Sequence, residues 1–178
     1  MKDTFTQGFL AGVTSGCIAN LFSLFFAFLS LSTLSYADWT GIIVFGHTPP
    51  FSTGEFILSL AVNIGLLGVM GSMFIYLIPL VHSTHIFFKG WVFSSFAWLL
   101  IYSVTTLFKV EGLLILPLNT VLSNLITASI YGLVLAQTVK NTVLAGSSRK
   151  DHSFFGIMAP AMKPVQPKDD DPQEPPTP

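Results

Sequence analysis

Charge is what this sequence has least of. Only 10% of its 178 residues are Asp, Glu, Lys or Arg, where a soluble globular domain carries about a quarter. The formal net charge is -1. That balance offers no basic face for a nucleic-acid backbone and excludes that class of partner. Cysteine occurs once, as Cys17 inside an apolar run. No intrachain disulfide can form, and the redox compartment cannot be read from it. No CxxC pair, Gly-rich phosphate loop, HExxH helix or Ser-His-Asp order is present. Without a nucleophile–base pair the chain reads as non-enzymatic, with no cofactor. The alternating ten-residue pattern of a barrel strand is missing too. At this length one compact domain is all that fits.

What is there is hydrophobic, 51% of residues, with 17 phenylalanines. In water such a chain would expose much of this surface, so lipid is its natural solvent. Four apolar segments reach spanning length: about 8–34, 56–78, 90–108 and 117–139. A helix rising ~1.5 Å per residue crosses ~30 Å of hydrocarbon in about 20 residues. In lipid every backbone group must be bonded internally, which leaves helices. The expected fold is all-α: an integral membrane four-helix transmembrane bundle over residues 1–145. Lys2, Lys89 and Lys140 fall on one side and Lys109 alone on the other. The first outer loop, 35–54, has no Lys or Arg. The positive-inside rule then places both termini in the cytoplasm.

Two segments need separate treatment. "SYA" before Asp38 resembles a signal-peptidase site. The apolar stretch before it is far longer than the ~7–15 residues of a signal core, so an uncleaved first helix is expected. After Gly146 the composition turns proline-rich and acidic, ending "MKPVQPKDDDPQEPPTP". It cannot bury enough surface to offset its ordering entropy, and 146–178 reads as a disordered cytoplasmic tail. "SFFGIM" is a small apolar island within it.

Small residues mark where helices meet. Gly8, Gly12 and Gly16 share one face of the first helix, with Asn20, Ser23 and Ala27 nearby. Gly65 and Gly68 (beside Gly71 and Ser72) mark the second, and Ala128, Gly132 and Ala136 the fourth. Such rows let backbones approach closely. They specify contact but not the partner, so packing within one bundle is favoured and a homo-oligomer or another membrane protein is the alternative. Asn20, Asn63 and Asn124 sit at membrane depth and must face protein. They serve interhelical hydrogen bonds or line a solute path. No acid or base lies deep in any span, which weighs against a proton-coupled carrier.

The remaining polar features have local explanations. "STGE" fits a capping box with Ser52 as N-cap and Glu55 at N3. Pro117 suits a helix start. The aromatic outer loop contains "GIIVF", too short to span, which lies along the interface or dips back in. His82 and His85 stand i, i+3, but a metal site needs three or four ligands and only His152 could join them. No metal site is expected. "VHSTHIFFKG" reads as a cytoplasmic hinge, and the ordinary histidine pKa would let that pair respond to cytoplasmic pH.

The glycine-zipper first helix, the aromatic outer loop, the Gly-rich second helix, "KGWVFSSFAWLLIY" and "SIYGLVLA" together give a layout over about 8–140. It resembles the small four-span YqhR-like membrane proteins of spore-forming bacteria. The tail is outside that layout. The resemblance implies a bacterial cytoplasmic membrane location, and supplies no reaction and no site residue. The expected function is a structural, assembly or regulatory role through helix contacts. The alternative is a channel or carrier for a small neutral solute, lined by the three asparagines.

Overall fold

The computed structural model describes residues 4–78 and 85–144. The proposed tail, "SFFGIM", His82, His152, Pro79 and Lys2 lie outside them. Among the described residues there are five α-helices, not four: α1 (Thr4–Phe28), α2 (Tyr36–Phe45), α3 (Thr53–Leu77), α4 (Ile86–Leu107) and α5 (Leu118–Val139). A π-helical turn, Lys140–Leu144, continues α5. Four of the helices are long and apolar enough to cross a membrane.

The first apolar run does not stay helical to Leu34. Ser30 adopts a left-handed conformation, φ 57°. The Ser30 N–H donates to the Ala27 carbonyl and the Leu31 N–H to the Phe26 carbonyl, both at 3.0 Å. This is the Schellman arrangement, which satisfies carbonyls that a helix end leaves open. It normally uses glycine, because a Cβ disfavours that region. Serine disguises the stop. α4 ends the same way: Lys109 has φ 51°, and the Val110 N–H donates to the Thr105 carbonyl at 3.0 Å.

The chain then turns back and starts α2. Ser35 is its N-cap. The Ser35 N–H donates to Asp38 Oδ2 at 2.8 Å, and the Asp38 N–H donates to Ser35 Oγ at 3.2 Å. The "SYAD" stretch is therefore a capping box that starts a helix. Gly46, at φ 75°, ends it. α3 opens on the Ser52–Glu55 box read from the sequence. Pro117 sits one position before the first residue of α5, and its carbonyl accepts from Thr120 and Val121.

α1 packs on α3 and α5, α5 packs on α4, and α2 lies against α3. α3 and α4 share no extended contact; they meet through the Phe74 and Phe93 rings, 5.3 Å between centroids. At this same end the Lys89 ammonium donates to the Ile78 carbonyl at 2.9 Å, and Lys140 lies 5.5 Å from the Phe87 ring centroid. One core holds Ala11, Ala19, Phe74, Tyr131, Leu135 and Val139. A second, smaller one forms under α2 from Leu34, Trp39, Ile42 and Leu113. The outward surface carries large apolar side chains such as Leu21, Phe28, Leu58, Phe96 and Leu107. Serines and threonines are buried, and several return their hydroxyls to the carbonyl one turn back, as Ser15 does to Ala11. Apolar outside and polar inside is the distribution expected where the solvent is hydrocarbon.

A candidate binding cavity beneath the short helix

The small-residue rows are spent within the chain. A methyl added to Gly12 would lie 2.9 Å from Gly68 Cα and closer still to the Leu67 carbonyl. One on Gly8 would lie 2.7 Å from Ser72 Cα, and one on Gly16 would meet the Leu67 side chain at 3.0 Å. Gly71 fits against Gly8 and Gly12. Ser72 Oγ donates to the Phe5 carbonyl at 3.1 Å across the same crossing. Gly132 and Ala136 meet Gly90 of α4, and Gly132 also meets Ser94. Gly65 is the exception. A Cβ there meets nothing within 4 Å, so among the described residues the close contacts of the α3 row run through Gly68 and Gly71. Ala128 is buried, and its side chain forms part of a cavity wall.

The three asparagines do not share one lining. Asn20 Nδ2 donates to the Gly16 carbonyl at 2.9 Å and to Asn63 Oδ1 at 2.8 Å. Asn63 Nδ2 donates to Thr40 Oγ1 at 2.9 Å, with the Tyr36 carbonyl at 3.5 Å. The Tyr36 N–H donates to Ser23 Oγ and its hydroxyl to the Asn124 carbonyl, both at 2.8 Å. The start of α2 is thus tied to α1, α3 and α5 together. From Thr53, Asn63 lies about 15 Å along α3 at 1.5 Å per residue. Gly41 sits beside Ser59, and Phe45 stacks near Phe51 at 6.4 Å. α2 therefore enters the bundle deeply and climbs back along α3 toward the Thr53 end. "GIIVF" is the part of α2 that climbs back along α3. Asp38, in its first turn, travels in with it, its carboxylate bonded to Ser35.

Under α2, where α3 and α4 part, lies a cavity of about 300 Å³. α2 supplies Tyr36, Trp39, Thr40 and Ile43; α3 supplies Asn63, Leu66, Leu67 and Met70. The α4 wall is Ser94, Ala97, Trp98, Ile101 and Tyr102, and the α5 floor is Asn124, Ala128 and Tyr131. None of these residues is charged. Tyr102 stacks between Trp39 and Trp98, with both centroid distances 4.6 Å. Tyr131 fixes floor to wall by donating to the Leu67 carbonyl at 2.7 Å. Ile43, Leu66 and Ile101 line the cavity and are also exposed on the outer surface. They mark a portal that opens sideways from the bundle.

Asn124 is the polar group left over. Its Nδ2 donates to the Tyr102 hydroxyl at 3.2 Å. Among the described residues nothing donates to its Oδ1, and that oxygen is not sealed from open space. The Tyr102 hydroxyl proton likewise has no acceptor among them. Trp39 is 6% exposed, and its indole N–H is unpartnered. Asn124 and Asn63 stand out in the sequence as polar residues in apolar runs; the aromatic residues beside them do not. Their signal was a Trp and a Tyr one helix apart from the asparagines, indistinguishable from interface-belt residues.

At the mouth of the 46–52 loop, His47 Nδ1 donates to the Thr48 carbonyl at 3.0 Å and Nε2 lies 3.4 Å from Glu55 Oε1. Both partners are acceptors, so the arrangement suits a doubly protonated ring. The histidine pKa is raised, first by the Thr48 carbonyl and then by Glu55. Among the described residues no group of three His, Cys, Asp or Glu could hold a metal ion. No protein-family model, curated protein or solved structure matches this chain.

Proposed function

We propose that this is a multi-pass protein of the bacterial cytoplasmic membrane that holds a small, neutral, mostly apolar molecule in the cavity beneath α2. In this reading α1, α3, α4 and α5 span, both termini are cytoplasmic, and α2 re-enters from the outer side. The observation that carries it is a cavity without a charged wall residue, opening sideways through Ile43, Leu66 and Ile101. A site of this kind, concave and apolar with a few convergent polar groups, suits a small ligand. Its portal faces the surface that suits lipid, so the ligand would enter from the bilayer. The layout resemblance to YqhR-like proteins supports the same location. No chemical step is assigned to the site. A role through helix contacts has less support, because the rows that motivated it are occupied within the chain. A channel lined by all three asparagines has less as well, because Asn20 and Asn63 are committed to holding α2.

The test is uptake of tritiated dodecane by nanodiscs that carry the full chain, measured against empty nanodiscs. Wild type should retain an excess near one molecule per chain. Ala97→Trp, which fills the cavity from the α4 wall, should abolish it. Equal retention by wild type and Ala97→Trp would remove the basis for the reading.

A further inference from the structure

The geometry points to a lipid alcohol as the ligand, a single hydroxyl on an apolar body, with the hydroxyl held between Asn124 and Tyr102. This rests on the cavity reading above and adds the chemistry of the head group. The Asn124 amide and the Tyr102 hydroxyl bond each other at 3.2 Å. As placed, the pair leaves two donors, the tyrosine O–H and the second amide N–H, and one acceptor, the asparagine Oδ1. Exchanging the amide N and O leaves the same inventory, because Nδ2 then donates and the tyrosine oxygen accepts. Either way the pair keeps donor capacity beside an acceptor. Asn124 is 2% exposed, so water from bulk does not meet this demand freely, and an unmet buried polar group is costly.

The complement of an adjacent donor and acceptor is a group that both accepts and donates through one atom. A hydroxyl does this. A ketone, ester or ether oxygen only accepts and would leave Oδ1 unmet. A carboxylate or ammonium would need a counter-charge, and the walls have none. Trp39, Tyr102 and Trp98 pack together and line the cavity with aromatic surface that suits the apolar body of the molecule. The sideways portal admits a molecule already dissolved in lipid.

The test compares tritiated dodecan-1-ol, its methyl ether and dodecane in nanodiscs carrying the full chain, with empty nanodiscs as the baseline. Two hydrogen bonds of ordinary strength predict an alcohol preference of about tenfold over dodecane, with the ether well below the alcohol. Tyr102→Phe and Asn124→Leu should each bring the ratio of alcohol to dodecane binding down toward one, whatever each does to dodecane uptake itself. Unfolding in mixed micelles, followed by tryptophan fluorescence, reports that each variant is folded. Equal binding of alcohol and dodecane, or of alcohol and ether, would overturn the head-group assignment and leave the cavity reading intact. So would alcohol binding that ignores both substitutions. No excess of any probe over empty nanodiscs would overturn both.

Discussion

Gly12→Ala and Gly65→Ala make the same chemical change and should have opposite consequences. At Gly12 the new methyl meets Gly68 Cα and the Gly68 carbonyl at 2.9 Å, with the Leu67 carbonyl nearer still. All three are backbone atoms of α3 and cannot rotate aside, so α1 must retreat. Overpacking of this kind costs about 1–3 kcal/mol. Retreat also stretches the Ser72 Oγ to Phe5 carbonyl bond, and an interhelical hydrogen bond in lipid is worth about 0.6–2 kcal/mol. The expected loss is about 2–4 kcal/mol. At Gly65 the methyl enters open space. Alanine exceeds glycine in helix propensity by about 1 kcal/mol in water. In lipid the unfolded reference stays largely helical, so the gain should fall between zero and that value. Reversible unfolding in mixed micelles, titrated with dodecyl sulfate and followed by tryptophan fluorescence, measures both. Equal destabilisation by the two substitutions would refute the α1–α3 crossing as the tight contact. A Gly12→Ala variant that altered only self-association, with monomer unfolding unchanged, would return that glycine row to an intermolecular role.

Two further outcomes follow from local geometry. Ser59 is fully buried and its hydroxyl has no partner among the described residues, so Ser59→Ala should raise unfolding stability by up to about 1 kcal/mol, while Ser72→Ala, which loses a bond between helices, should lower it by a similar amount. The His47 pKa is raised, so its hold on the 46–52 loop is full below the ordinary histidine value and fades as pH rises through the raised one. A ring-carbon NMR titration should give a midpoint above that of a free histidine. Glu55→Gln should lower the midpoint only in part, because the Thr48 carbonyl is the larger cause.

The long helices were legible because their signal is the apolar run itself, which sets length and solvent together. The Ser52–Glu55 start was legible because a capping box is a local pattern. What the sequence hid was where the first helix stops. Ser30 holds a conformation usually signalled by glycine, so no glycine or proline marks the stop before Leu34. "SYAD" carried the correct information in an ambiguous form. A serine three residues before an aspartate is a helix start, and small residues before Asp38 also imitate a cleavage site. Missing that start concealed α2, and with it the cavity roof, since Trp39, Thr40 and Ile43 reach the cavity only when α2 turns inward.

The asparagines show why a polar residue at depth cannot be assigned a role from its type. All three satisfy the same requirement, that an amide in hydrocarbon must face protein. Asn20 and Asn63 meet it by bonding each other and then Thr40, which fixes α2 at depth. Their capacity is used in creating the site. The Asn124 side chain is bonded through its amide nitrogen only, and the residue lines the cavity under the helix that the other two hold. Substituting Asn63 should therefore disturb binding by releasing α2, whereas substituting Asn124 should disturb it by removing the contact. The two differ in an observable way: only the first should also change the packing of Thr40 and Tyr36 against their neighbours.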